Sequence, residues 1–345
     1  MKSSANLFAA IFIILTLSLS TIWSTTPDLV INQLTFILLA IFLGLITSRQ
    51  SESFLESLTL PAYIITIGLL LLTFILGQAT RGSVRWITLG PFNLQTSEIA
   101  KPLVILAFAN FFSQPIHKPY FWLFQRTLLI LPIIILILLQ PDLGSAIIVS
   151  LIWIGLLLSS AISKKIVFTF LFIGIILLPI GIRFLQPYQK ERLSTFINPY
   201  ADPKGSGYNV IQSQIAIGSG HFIGKGVRQG TQSHLKFLPE RHTDFAFASF
   251  AEEFGFLGSF ILISSFSVVF FWLIDQIKNQ KLFPSLIVNG VFWYIISQTI
   301  INLGMNLGIV PTTGITLPFF SYGGSSLLSL GLSIGLVFAV KPSLW

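Results

Sequence analysis

Apolar residues fall into ten long runs along the chain, each separated from the next by short polar segments or by one long one. The runs cover residues 6–23, 29–47, 59–77, 98–113, 122–139, 143–161, 165–185, 244–273, 283–302 and 318–340. A helix needs about 20 apolar residues to cross roughly 30 Å of hydrocarbon, so the pattern predicts an all-α polytopic membrane protein. We expect one integral membrane domain over 1–345, with about ten transmembrane helices and a large extracytoplasmic loop, 186–243, between helices 7 and 8. The first run follows Lys2, but it is long for a signal peptide and no small-residue cleavage site follows it. It is expected to be a retained helix.

Composition agrees. Hydrophobic residues are 53% of the chain and charged residues 9%, against about 25% charged in soluble domains. The absence of cysteine excludes a disulfide framework and a thiolate metal site. The net charge of +8 suits anionic lipid and cytoplasmic loops, so nucleic acid is not an expected partner.

With the N-terminus inside, the short cytoplasmic connections carry Arg49, Lys118, Lys164, Lys165, Lys278 and Lys281, and the tail carries Lys341. Both termini are then cytoplasmic. The long outer loop holds seven basic residues against three acidic ones, a net +4. Loops of that length escape the positive-inside rule, so its charge points to an anionic partner outside. Within it, Tyr208, Ile211 and Ile215 share one helical face and predict an interfacial helix.

An ionisable side chain at the centre of a membrane helix costs about 2.5–3.5 kcal/mol, so those that persist face protein, water or a pathway. Glu98 and Lys101 are three apart and can pair on one face. Asp142, after Pro141, suits a helix N-cap or a direct role. The stretch FLPERHTDFAFASFAEEFG (237–255) holds four of the chain's 12 acidic residues: Glu240, Asp244, Glu252 and Glu253. Asp244 follows Arg241, His242 and Thr243 at a water–lipid boundary, where pKa values are tuned for proton transfer. Capping of the next helix by Asp244 or by Thr243 is the alternative. The glycine-rich GSGHFIGKGVRQG (218–230) can cradle phosphate through its N–H groups, or serve as a flexible loop. His117, His221, His234 and His242 lack the spacing of a structural zinc site. TLPFFSYGGSS (316–326), which includes Ser321, suits close helix packing.

Five segments occur in one order: RGSVRWITLGPFNLQTSEIAK, QPDLGSA, KERLSTFINPYADPKGSGYNVIQSQIAIGSGHFIGKG, GTQSHLKFLPERHTDFAFASFAEEFGFLG and VPTTGITLPFFSYGGSS. Together they resemble the SEDS family (shape, elongation, division and sporulation) over nearly the whole chain. GKG, GTQ and PERHTDF are closer to its elongation branch than to its division branch, where PEAHTDF is usual.

The resemblance implies a ten-helix peptidoglycan glycosyltransferase in the bacterial cytoplasmic membrane. It would polymerise lipid II at the outer face, beside a class B penicillin-binding transpeptidase. It also implies that Asp244 is the essential acidic residue and that Glu98, Lys101 and Asp142 line a central cavity. Thr96, His221, Thr316 and Ala246 depart from the family pattern without removing a charge. Transfer from an α-linked diphosphate to a β-1,4 polymer is one inversion, which needs a base and no enzyme nucleophile. Asp244 would be that base. Basic side chains, or a divalent cation (magnesium or manganese), would hold the leaving diphosphate. Lys225 and Arg228 are the first candidates, then Arg192 and Arg241, with Arg85; Glu240, His242 and Ser321 complete the expected site. A lipid II flippase and a scaffold for the transpeptidase are the rivals. The first should show internal repeats and broken helices in matching halves, which the sequence does not clearly show. The second leaves the acidic cluster unexplained.

Overall fold

The structure, a computed structural model, describes residues 4–80, 83–89, 92–183, 186–278 and 280–341. Lys2 and the last two positions of the seventh expected run lie outside them. In chain order the elements are α1 (Ser4–Thr25), α2 (Val30–Ser48), α3 (Glu52–Ser57) and α4 (Thr59–Leu76). Next come β1 (Gln78–Thr80), β2 (Ser83–Leu89) and β3 (Phe92–Gln95), followed by α5 (Thr96–Ser113), α6 (Pro119–Leu139), α7 (Leu143–Ser159) and α8 (Lys164–Arg183). The remaining helices are α9 (Pro187–Ile197), α10 (Tyr208–Ser219), α11 (Thr231–His234), α12 (Ala246–Ile277), α13 (Leu282–Leu307) and α14 (Gly324–Ala339).

Each of the ten apolar runs falls on a helix. Six helical segments, 4–25, 27–48, 59–76, 119–139, 246–277 and 282–307, are long and apolar enough to cross a membrane. Two more, α7 and α14, are apolar but shorter. Lys341 Nζ donates to Ser4 Oγ at 2.8 Å, so the two ends of the described chain meet. Asp142, Asp244 and the segment 186–243 lie at the opposite end of the bundle.

The small antiparallel sheet β1-β2-β3 has no counterpart among the elements expected from the apolar pattern. Its β2–β3 register pairs Trp86 with Gln95 and Leu89 with Phe92. Ser325 at the start of α14 accepts from the Gln95 amide at 2.8 Å and donates to the Asn93 carbonyl at 3.3 Å. The sheet thereby delivers Arg85 to the start of α7.

Two glycine devices shape the bundle. In α12, Gly255 has φ +64°, a left-handed conformation that interrupts the helix. The segment 221–226 enters the break. Lys225 and Gly226 N–H groups donate to the Glu252 and Glu253 carbonyls, both at 3.0 Å, and the Phe256 and Leu257 N–H groups donate to His221 and Phe222 carbonyls at 2.9 and 3.0 Å. A Cβ on Gly255 would lie 2.3 Å from the Gly224 nitrogen. The other device is the seam where α2 packs along α14. Ala40 and Gly44 face Gly331 and Gly335, and a Cβ on Gly331 would sit 2.3 Å from the Ala40 carbonyl oxygen. Small residues four apart allow this backbone approach.

The long connection is mostly ordered helix. In α10, Val210, Ser213 and Ala216 face inward and Ile215 is exposed. The expected face of Tyr208, Ile211 and Ile215 is therefore not the packed one. The small inner residues let α10 lie on α12 and α13, and a Cβ on Gly220 would meet the Ala251 carbonyl at 2.0 Å.

Replacing Gly331 with Leu should force α2 away from α14 and lower the unfolding temperature in detergent. The same change at Gly68, where a Cβ meets nothing within 4 Å, should leave it nearly unchanged. Equal unfolding temperatures for the two variants would refute the close-packed seam.

Candidate active site

Asp244 lies just before α12. Neither it nor Thr243 caps that helix: the N-cap is Phe245, with no side-chain cap bond. Asp244 is held instead through its main chain, whose carbonyl accepts from Asn302 and Asn306 Nδ2, both at 3.0 Å. Its neighbours are fixed too. Ser321 Oγ donates to the Thr243 carbonyl at 2.6 Å, and the Tyr322 N–H to the His242 carbonyl at 2.8 Å. The His242 ring meets Tyr322 edge-on at 5.8 Å. Thr243 Oγ1 donates to Glu240 Oε2 at 3.0 Å, and the Arg241 guanidinium donates to the Thr25 carbonyl. In front of the carboxylate lies Gly314, at φ +72°; a Cβ there would come within 3.4 Å of Asp244 Oδ2.

Two guanidinium groups belong to the same region. Arg192, on α9, donates to the Thr312 carbonyl at 3.1 Å and feels the charges of Arg85, Asp244 and Asp142. Burial first, then Arg85, lowers the Arg192 pKa from its usual value, while the two aspartates oppose that change. Arg192 also lines a cavity of about 80 Å³ with Thr195, Val210, Gln214 and Val310. Arg85 donates to the carbonyls of Gln140 and Pro141.

Asp142 is the N-cap of α7, accepting from the Ser145 N–H at 3.0 Å. Ser97 Oγ and Gln95 Nε2 also donate to it, at 2.8 and 3.1 Å. Burial pushes its carboxyl up, but the Arg85 charge and these hydrogen bonds outweigh burial and hold it below the usual value. It is thus both a cap and a charge coupled to Arg85 and Arg192.

Glu98 and Lys101 pair at 2.5 Å with the lysine fully buried. Lys101 also donates to Gln298 Oε1 at 3.2 Å and lies over the Tyr294 ring at 5.2 Å. Tyr294 Oη donates to Glu98 Oε2 at 3.5 Å, and Gln298 Nε2 donates to the Thr316 carbonyl at 3.0 Å. The pair joins α5 and α13 to the 316–326 segment.

The acidic cluster divides in two. Glu252 and Glu253 are buried and fasten the loop. Glu252 accepts from Lys225 Nζ at 2.9 Å, from Thr231 Oγ1 and the Gln232 N–H at 3.1 and 3.0 Å, and from the Ser233 N–H and hydroxyl at 3.2 and 2.9 Å. Glu253 accepts from Ser24 Oγ at 2.5 Å, lies 3.1 Å from His234 Nε2, and accepts from the Arg228 N–H at 3.3 Å. Lys225 and Arg228 therefore have other partners than an open anion cradle. Lys225 is bound to Glu252, and the Arg228 guanidinium lies 4.1 Å over Trp23.

Sequence reasoning missed Asn302 and Asn306. Their signal was available: two amides four residues apart on one face of an apolar run. Ser24, Gln95 and Ser97 carried no comparable signal, because their partners lie far off in sequence. Among the described residues, no three His, Asp or Glu side chains converge to hold a metal ion.

A family model described as a cell cycle protein, FtsW/RodA/SpoVE, matches residues 2–344. A probable peptidoglycan glycosyltransferase FtsW from Pseudoalteromonas translucida is 36% identical over 316 residues, 88% of this chain and 78% of that one. The peptidoglycan glycosyltransferase MrdB of Escherichia coli K12 is 38% identical over 286 residues, 81% of this chain and 76% of that one. One similar solved chain belongs to a study of structural coordination of polymerization and crosslinking by a peptidoglycan synthase complex. It has a TM-score of 0.84 at 33% identity and covers 97% of this chain and 96% of its own. The rod shape determining protein RodA of Thermus thermophilus has a TM-score of 0.72 at 28% identity, covering 97% and 95%.

Two outcomes follow from this geometry. Removing either partner of the Glu98–Lys101 pair leaves an uncompensated buried charge, which costs about 3–5 kcal/mol. A double-mutant cycle with Glu98→Gln and Lys101→Met, read as thermal stability in detergent, should show strong coupling; additive losses would mean that the pair does not act as one unit. The folded carboxyl of Asp142 is depressed, so its stabilisation is fully present above the unfolded value, about 3.9, and is lost as pH falls through the folded value. Asp142→Asn should therefore lower stability near neutrality and flatten the acid side of the stability profile relative to the parent. An unchanged profile would show that the ionised carboxylate contributes nothing.

Proposed function

The chain belongs to the FtsW/RodA/SpoVE family, and on that premise we propose that it is a peptidoglycan glycosyltransferase whose general base is Asp244. Its relatives carry that activity in their names, and the observation that supports the role of Asp244 here is that its carboxylate acts on the charge of Arg192. Arg192 feels the charges of Asp244 and Asp142 together and that of Arg85. A carboxylate and two guanidinium groups in one half-buried region form a site for a nucleophilic hydroxyl on one side and a leaving anion on the other.

The substrate in this reading is lipid II. Asp244 takes the proton of the acceptor sugar's hydroxyl as its oxygen attacks the anomeric carbon of the donor. The bond from that carbon to the diphosphate breaks, and the diphosphate leaves with the electron pair. One displacement turns the α-linked donor into a β-1,4 link. Arg85 and Arg192 meet the charge on the diphosphate, so no acid need protonate it. Guanidinium suits phosphate because its donors form a fixed fork. Lys225, Arg228 and Arg241 stand farther back in this scheme, since Glu252, Trp23 and the Thr25 carbonyl hold them. A divalent cation, where one takes part, would be held by the substrate's diphosphate together with one or two carboxylates, and no step is routed through it. Glu98 and Lys101 would brace the wall behind the site.

Orientation follows from charge. In the topology expected from the sequence, the side away from Asp244 carries Arg49, Lys118, Lys164, Lys165, Lys278, Lys281 and Lys341, so we place that side in the cytoplasm and Asp244 at the outer face. The likeness to a chain from a peptidoglycan synthase complex supports a class B penicillin-binding transpeptidase as partner. PERHTDF favours an elongation role, although division-type relatives match at comparable identity.

Asp244→Asn keeps the shape of the side chain and cannot take the proton, so purified protein should lose glycan polymerisation from lipid II while remaining monodisperse. Arg192→Gln should keep part of the rate and weaken lipid II binding in neutral detergent, more strongly at low salt, where charge is less screened. Near-normal polymer from the Asp244 variant would remove it from the mechanism. Loss of lipid II transbilayer movement with polymerisation intact would favour the transporter reading.

A further inference from the structure

Side-chain packing does not close the space between α6 and α8. A cavity of about 270 Å³ lies there, beside the connection that leads into α8. The helix α8 leans on α7 and buries Val167, but from Phe168 to Ile176 most of its positions are exposed. The cavity changes character with depth. Tyr120, Ser163 and Lys165 stand where the two helices begin, and Leu123, Phe170 and Ile173 line it one to two turns farther in. Lys165 and Ile173 are eight residues apart, about 12 Å along a helix.

The two adjacent lysines are used differently. Lys164 Nζ turns back onto α7 and donates to the carbonyls of Leu158 and Ser160. Among the described residues, Lys165 Nζ makes no hydrogen bond or ion pair, and neither do the Ser163 and Tyr120 hydroxyls. No acidic residue among those described lines the cavity. Lys118, at the N-cap of α6 and exposed, adds positive charge two residues from Tyr120. The mouth therefore offers a cation and two hydroxyl donors, and the depth offers only apolar surface.

A small free anion would satisfy the mouth and leave the depth unfilled. An uncharged acyl chain would fill the depth and leave the donors unpaired. One molecule with both parts meets both needs. We propose that the cavity between α6 and α8 binds an anionic glycerophospholipid of the cytoplasmic leaflet. Its phosphodiester sits at Lys165, Ser163 and Tyr120, and an acyl chain runs along Leu123, Phe170 and Ile173. Anionic lipids give that leaflet its negative surface, and basic pockets between membrane helices on that side suit their headgroups. The leaflet rests on the orientation proposed above; the site itself does not. The lipid fills the gap beside α6, so α8 is held to the bundle through it as well as through α7.

The test titrates full-length protein in neutral detergent with phosphatidylglycerol and reads the unfolding temperature, which rises when a ligand binds the folded state. Phosphatidylcholine with the same acyl chains, and inorganic phosphate, are run beside it. Lys165→Gln removes the charge. Thr169→Phe places a ring in the cavity that Thr169 lines; the threonine hydroxyl already donates to the Lys165 carbonyl at 2.9 Å, so the change tests bulk alone. Lys281→Gln removes a charge outside the cavity. All three positions are exposed, so without lipid each variant should unfold near the parent. The expected result is a saturable rise with phosphatidylglycerol alone. Its midpoint should be about fivefold higher in Lys165→Gln, the weight of one basic side chain at an anionic surface. The rise should be absent in Thr169→Phe and unchanged in Lys281→Gln. An equal rise with phosphatidylcholine would mean that the cavity takes acyl chains without reading charge, and one with inorganic phosphate that it takes any anion; either overturns the proposal. So does an undiminished effect in Lys165→Gln or Thr169→Phe, or an equal loss in Lys281→Gln. Binding is read without polymerisation, so the outcome stands apart from the glycosyltransferase reading.

Discussion

The break in α12 at Gly255 frees backbone groups that a helix in hydrocarbon cannot leave unpaired. They are paired by the segment 221–226, whose own N–H and carbonyl groups replace the missing helical partners. That exchange fixes where the long connection enters the bundle. Glu252 and Glu253, one turn before the break, then fasten residues 225–234 from beneath. A buried carboxylate is tolerated only with several donors around it, and this connection supplies them. Loop and helix are therefore mutually required: without the loop the break and the carboxylates are unsatisfied, and without them the loop has no fixed seat.

Asp244 gains its setting from the same arrangement. It lies between the fastened loop and the start of α12, and its main chain is held by α13 while residues 242 and 243 are held by the 317–322 segment. Four separate parts of the chain thus fix one residue's backbone. Its side chain is left half-buried, in the field of Arg192. Contrast Glu98, whose carboxylate is closed off by Lys101 and Tyr294. A base must give and take a proton, so partial access separates a group that can react from one that can only brace.

Much of the fold was legible in the sequence because lipid imposes one rule on every spanning helix: each of the ten apolar runs falls on a helix, and six of those helices are long and apolar enough to span. The Asp142 cap and the Glu98–Lys101 pair were legible because both are local: partners three residues apart can be read from spacing. The division of labour within the acidic cluster was not. Spacing places Glu252 and Glu253 two turns beyond Asp244, yet what they bind is decided by residues 19 to 229 positions away. The sheet was missed because the segment 78–95 is short and lies between two strong helical signals. Lys225 and Arg228 were read from charge alone, which does not reveal that Glu252 and Trp23 already hold them.

The break in α12 and the start of that helix show how a site is built where regular structure stops. At Gly255 the missing helical bonds go to backbone from the loop, and in the first turn the Ala248 N–H, which no helical carbonyl faces, donates to the Asn306 side chain of α13. The backbone groups left over at both places are paired, so the cost of bending the chain is small. Asn306 thereby takes the capping place that a side chain at the helix start would otherwise fill. An aspartate inside a regular first turn would aim its carboxylate at the helix's own N–H groups as a cap. With that place filled from α13, the Asp244 carboxylate lies instead beside Gly314, in the field of Arg192. The asparagines of α13 thereby convert a capping position into one that can face a substrate.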